Sequence, residues 1–185
     1  MTFLPISAQA EMHGALVPIA SQIVTGSSVS GITFNNIPQG YQDLMAVCYV
    51  RSTNSSTDYF YVNPNNNGSG IGSFTTLYGN GSSTGSYRDS SQSINIELRE
   101  FTGSNQTSGI FTSVTMHILN YANTSAYKTI LSRNASDWNG SGFTHLTVNM
   151  METTSGISSL KFAGYSGNLA VGSQIQLYGI RTVGQ

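Results

Sequence analysis

The sequence alternates with a period of two. Around residues 93–100, Ile94, Ile96 and Leu98 take turns with Asn95, Glu97 and Arg99. Successive side chains of a strand point to opposite faces, so this segment is expected to set its isoleucines and leucine on a core and the other three in water. Residues 110–120 repeat the pattern, with Ile110, Val114, Met116 and Ile118 on one face and Ser113, Thr115 and His117 on the other. Residues 43–51 alternate Leu44, Ala46, Cys48 and Val50 with Met45, Val47, Tyr49 and Arg51. Both of those sets are largely apolar, which predicts a central strand covered on both sides.

Further strands are expected over residues 15–25, 30–34, 58–62, 74–78, 127–133, 144–150, 159–163 and 173–181. Turn signals separate them, among them Asn63-Pro64-Asn65, Asn80-Gly81 and Asn139-Gly140. No stretch of ten or more residues carries an apolar stripe at helical spacing with caps; Gly14 and Pro18 limit residues 11–19 to a short turn. About ten short strands in one chain predict an all-β fold. The expected architecture is an antiparallel β-sandwich, jelly-roll-like, with an extended N-terminal arm. Residues 1–29 form the arm and first strand, and residues 30–185 the sandwich. Phe3, Leu4 and Ile6 lack strand alternation and are the candidate partner-docking residues of the arm.

Composition narrows the function. Ser, Thr, Asn and Gly make up 83 of 185 residues, and charged residues only 8%, against about 25% in an ordinary domain. The formal net charge is -1, and the seven Lys and Arg are scattered. A nucleic-acid partner needs clustered cations and an anionic membrane surface needs a basic patch, so neither is expected. No run approaches the ~20 apolar residues of a spanning helix. The first basic residue is Arg51, and Phe3-Leu4-Pro5-Ile6 is a short apolar run, so no signal peptide is expected. The seven Asn-x-Ser/Thr sequons then follow from composition alone. Cys48, the single cysteine, is expected to be a buried inert thiol.

Chemistry finds little foothold in the sequence. No Gly-x-Ser-x-Gly elbow occurs, and His13, His117 and His145 fit surface or satisfied strand positions. Metal ligands do not converge at short spacing, and no cofactor is expected. The glycine-rich runs near residues 68–72 and 79–81 lack a following helix and a lysine, so no phosphate cradle is expected. Candidate carboxylates for glycosidic cleavage are Asp58, Asp89, Glu97, Glu100, Asp137 and Glu152. Glu97 and Glu100 are three apart, which on a regular strand keeps them on opposite faces. Trp138 and the ten tyrosines offer material for a carbohydrate platform; Tyr59, Tyr61 and Tyr121 equally suit a sandwich core or a subunit interface.

The segment Ile32-Thr33-Phe34-Asn35-Asn36-Ile37-Pro38-Gln39-Gly40-Tyr41-Gln42-Asp43-Leu44, with Arg51-Ser52 after it, resembles a pattern of tailed-bacteriophage virion proteins. Asn120-Tyr121-Ala122-Asn123-Thr124-Ser125-Ala126-Tyr127-Lys128-Thr129 and Gly172-Ser173-Gln174-Ile175-Gln176-Leu177-Tyr178-Gly179-Ile180-Arg181 agree with it. The resemblance implies a non-enzymatic β-sandwich structural component, usually trimeric. It would be a capsid decoration (cement) protein stabilising the head by binding major capsid protein, or a tail module. The absence of a long fibrous shaft favours the decoration protein, a homotrimer on the capsid surface, made in the host cytoplasm. The alternative is a tail fibre or baseplate module that binds host surface glycan through Trp138.

Overall fold

A computed structural model describes residues 15–66, 72–92 and 96–181. Phe3, Leu4, Ile6 and His13 lie outside the described residues. Twelve strands and no helix are found among those described: β1 (Leu16–Ile23), β2 (Ile32–Phe34), β3 (Asp43–Val50), β4 (Asp58–Pro64), β5 (Gly72–Gly79), β6 (Thr84–Gln92), β7 (Ile96–Phe101), β8 (Thr112–Ile118), β9 (Lys128–Asp137), β10 (Gly142–Met151), β11 (Leu160–Gly164) and β12 (Gln174–Ile180). They form an eight-stranded sheet, β1-β12-β3-β8-β9-β10-β5-β6, and a four-stranded one, β2-β11-β4-β7. Every pairing is antiparallel. The antiparallel sandwich expected from the sequence is what the chain forms.

The connectivity has a simple logic. Without β5, β6, β9 and β10, two sheets of four remain, β1-β12-β3-β8 and β2-β11-β4-β7. That is the strand order of a jelly roll. The hairpin β5–β6 is inserted between β4 and β7, and β9–β10 between β8 and β11. The two insertions pair with each other through β10 and β5, and β9 joins them to β8. They lengthen one sheet only. The larger sheet therefore overhangs the smaller beyond β7, which packs against β9 and β10.

The core lies between the two sheets. Leu44, Ala46, Cys48 and Val50 of β3 and Val114, Met116 and Ile118 of β8 face Phe60, Val62, Leu98, Phe101 and Phe162 of the smaller sheet. Burial pushes the Cys48 thiol far above its ordinary value, which keeps it protonated and inert. The resemblance motif closes one end. Tyr41 lies flat against Gly179, where a Cβ would overlap its ring, and the Tyr121 hydroxyl donates to the carbonyl of Pro38. Pro18 is tolerated because β1 is an edge strand and its register slips between Pro18 and Ala20.

Two expectations about faces are corrected. Val47 and Tyr49 were expected under a second layer, yet they are exposed, because only one sheet packs on β3. Arg99 was expected in water and is buried. The cause is a β-bulge: Tyr59 pairs with Glu100 and Tyr61 with Glu97, so Leu98 and Arg99 together oppose Phe60. Arg99 takes a left-handed φ of 68°, a conformation seldom held by a non-glycine residue. The extra residue also undoes the separation of Glu97 and Glu100. Both are now paired with tyrosines two apart, and they share a face.

Candidate functional site

The inserted strands carry polar residues where a sandwich normally carries apolar ones. The inward positions of β9 include Lys128, Ser132, Asn134 and Ser136, and those of β10 include His145, Thr147 and Asn149, all buried. Their neighbour across the gap is β7, whose outer edge has no strand partner among the described residues. Side-chain amides supply what a strand would. Asn134 Nδ2 donates to the Glu100 carbonyl at 2.6 Å, and Asn149 Nδ2 to that of Glu97 at 3.3 Å. A buried edge otherwise leaves unpaired carbonyls, so these polar residues are a requirement of the overhang.

Under the overhang lies a cavity of about 410 Å³, bounded by Tyr59, Tyr78, Tyr87 and Phe143 as walls and by Arg99, Glu100 and His145. Gly79 and Asn80, where the β5–β6 turn begins, complete it. The bulge aims the Arg99 guanidinium at three rings, 4.5 Å from the centroid of Tyr87, 5.0 Å from Phe74 and 5.1 Å from Tyr59. Each such contact contributes roughly 0.5–2 kcal/mol. Glu97 Oε1 pairs with Arg99 Nη1, while Arg99 Nε has no partner. Burial lowers the Arg99 pKa below its ordinary value, and the Tyr59 hydroxyl and the Glu100 charge oppose that.

His145 is 5% exposed, and neither ring nitrogen makes a hydrogen bond. Nε2 lies 3.4 Å from Glu100 Oε2, an ion-pair distance without hydrogen-bond geometry. The imidazole nevertheless holds the Glu100 carboxyl below its ordinary value, against the effect of burial. Glu97 moves the other way: burial, then the charges of Asp89 and Glu100, push it up to about 7. The two carboxyls are thus split in acidity, a pattern known from acid–base pairs. Glu97 does not line the cavity, however, so the pair does not face one ligand across it.

The other sequence candidates fall elsewhere. Asp58 is structural: it accepts from Ser52 Oγ and from the backbone N–H groups of Tyr59, Ser166 and Gly167, pinning the loop after β11. His117 Nε2 lies 3.0 Å from Asp43 Oδ2. Asp137 accepts the N–H groups of Asn139 and Gly140 in the β9–β10 turn. Glu152 is exposed just past β10. Trp138 is half-buried, edge-on to Phe143, and its indole N–H donates to Thr102 Oγ1. It stands outside the cavity, whose aromatic walls are Tyr59, Tyr78, Tyr87 and Phe143. Of the tyrosines weighed from the sequence, Tyr121 is buried in the core and Tyr59 is an exposed wall of this cavity. No group of three metal-ligating side chains occurs among the described residues. Family models and curated proteins were both searched, and none matches this chain.

The outer face of the eight-stranded sheet is the other notable surface. Leu131 pairs with Val148 and Leu146 with Leu77, so the four form adjoining rungs across β9, β10 and β5. Their exposures are 42%, 39%, 56% and 56%. Val47 and Tyr49 are exposed on the same face of β3, separated from those four by Ser113 and Thr115 of β8. Arg133 stands among them, paired across to Thr115 and Leu146, and Arg88 lies on the same face, paired to Thr75.

Proposed function

We propose that this chain is a structural subunit of a tailed-phage virion: a decoration protein that assembles as a homotrimer, binds major capsid protein and stabilises the head. The observation that carries the reading is the outer face of the large sheet. Four aliphatic side chains on adjoining rungs, each more than a third exposed, form the kind of patch that monomers avoid and subunit contacts bury. The face is close to neutral, so copies of it meet without like-charge repulsion. The resemblance of residues 32–44, 120–129 and 172–181 to virion proteins supports the same reading. The arm with Phe3, Leu4 and Ile6 is assigned to docking on the capsid.

Virions with and without the protein decide the matter. Imaging should place it on the head, and particles lacking it should lose infectivity at a lower temperature. Its absence from purified virions, or unchanged heat resistance without it, overturns the proposal.

A further inference from the structure

The cavity under the overhang lies on the inner side of the large sheet, and assembly through the outer face leaves it without a role. Its construction is costly. A non-glycine residue is held at a left-handed φ in a bulge, a guanidinium is buried among three rings, and a histidine is buried with no hydrogen bond on either ring nitrogen. Strain and unsatisfied polar groups of this kind persist where function requires them. We infer that the cavity formed by Tyr59, Tyr78, Tyr87, Phe143, Glu100 and His145 binds an uncharged pyranose, the terminal residue of a neutral glycan.

Three features of the wall select that ligand class. First, aromatic rings line the space, and the C–H faces of a pyranose pack against ring faces; Tyr59 and Tyr87 are also exposed enough to be reached from outside. Second, the polar groups suit hydroxyls. The Glu100 carboxylate accepts, and a ring nitrogen of the buried His145 donates or accepts according to tautomer. Satisfying that nitrogen recovers a desolvation cost the free protein bears. Third, charge excludes the neighbouring classes. The Arg99 guanidinium is already paired with Glu97 and enclosed by rings, while the Glu100 carboxylate stands on the wall. A sialic or uronic acid would meet that carboxylate, and an organic cation would have to displace Arg99 from its cage. The volume of about 410 Å³ lies within the range of small-molecule sites.

The test uses the full chain on an array holding neutral, sialylated and uronate-containing glycans, followed by NMR titration with the methyl glycoside of the best neutral hit. Binding to neutral glycans is expected, with the amide signals of Gly79, Asn80 and Glu100 and the His145 ring signals moving together. Glu100→Gln and Tyr87→Leu should each weaken binding about tenfold or more, while Glu152→Gln, exposed past the far end of β10 from His145, should leave it unchanged. Melting curves check that the variants fold. If a variant does not fold, the signals that move in the unmodified chain decide. The inference is overturned by no neutral binder on the array, by preference for acidic glycans, by shifts located elsewhere, or by full affinity in both folded site variants. None of these results bears on virion heat resistance, so this inference and the assembly proposal stand or fall separately.

Discussion

Arg51 and Arg99 are both buried, and they solve the problem of a buried cation differently. Arg51 uses no carboxylate. Its Nη1 donates to the carbonyls of Thr107 and Ile110, and its Nη2 to those of Ser104 and Gln106, so one planar fork holds the loop between β7 and β8. Lysine has neither that geometry nor that many donors. Arg99 instead depends on Glu97, and Glu97 supplies a test. A carboxyl raised from 4.5 to about 7 stays protonated in the folded chain at a pH where the unfolded chain has released its proton. Folding stability from this group is therefore full below pH 4.5, falls as pH rises from 4.5 to about 7, and is flat above. Glu100, held low by His145, has the opposite sign, losing stability as pH falls. Glu97→Gln should isolate the first effect. Between pH 5 and pH 8, urea unfolding of the unmodified chain should show a loss on the order of 2–3 kcal/mol that the variant lacks. An equal slope in both would remove Glu97 as its source.

The two inserted hairpins should differ from the roll in local stability. β6 is an edge strand, mostly exposed, and among the described residues it pairs with β5 alone; β5 in turn depends on β10, and β10 on β9. Opening free energies should rise inward along that series. Hydrogen exchange is expected to be fastest in β6, slower in β5 and β10, and slowest in β9, and β6 amides as protected as those of β9 would contradict this order. The same strands mark the limit of what the sequence makes legible. β3, β8 and β12 are plain in the alternation because their inner faces are continuously apolar. β6 was not anticipated, since Ser86, Arg88, Asp89 and Ser90 offer no alternation and Tyr87 is its one large apolar residue. The bulge was invisible for a different reason: a single extra residue changes the facing of Arg99 and Glu100 without altering composition or spacing. His145 sits on a strand that was expected, and its burial follows from the edge of β7 lying opposite, a relation between segments far apart in the chain. The cavity gathers residues from 59 to 145 on five strands. Trp138, the aromatic residue most conspicuous in the sequence, is taken up by Phe143 and Thr102 instead.

For the whole molecule, the low charge seen in the composition becomes a property of particular surfaces. The outer face of the large sheet carries Leu77, Leu131, Leu146 and Val148 with few ions among them, so association through it should be driven by apolar burial. Light scattering on the purified chain is expected to give three protomers at micromolar concentration, with the mass unchanged in 1 M salt, where exposed charge pairs are screened within about 3 Å. Leu77→Lys with Leu146→Lys should yield a monomer with an unaltered fold. A monomeric parent chain, or a trimer that dissociates in salt, would refute this account of the interface. The insertions have a last consequence, and it concerns the order in which they can be removed. β9–β10 can stand on the bare roll alone, because β9 pairs with β8; β5–β6 cannot, because among the described residues β10 is its one strand partner outside the hairpin. The hairpin that completes the tyrosine-walled cavity therefore depends on the other for its place in the sheet, while the other does not depend on it. A chain cut back to β9–β10 keeps that hairpin paired to the roll, whereas one cut back to β5–β6 leaves its hairpin with no strand to join.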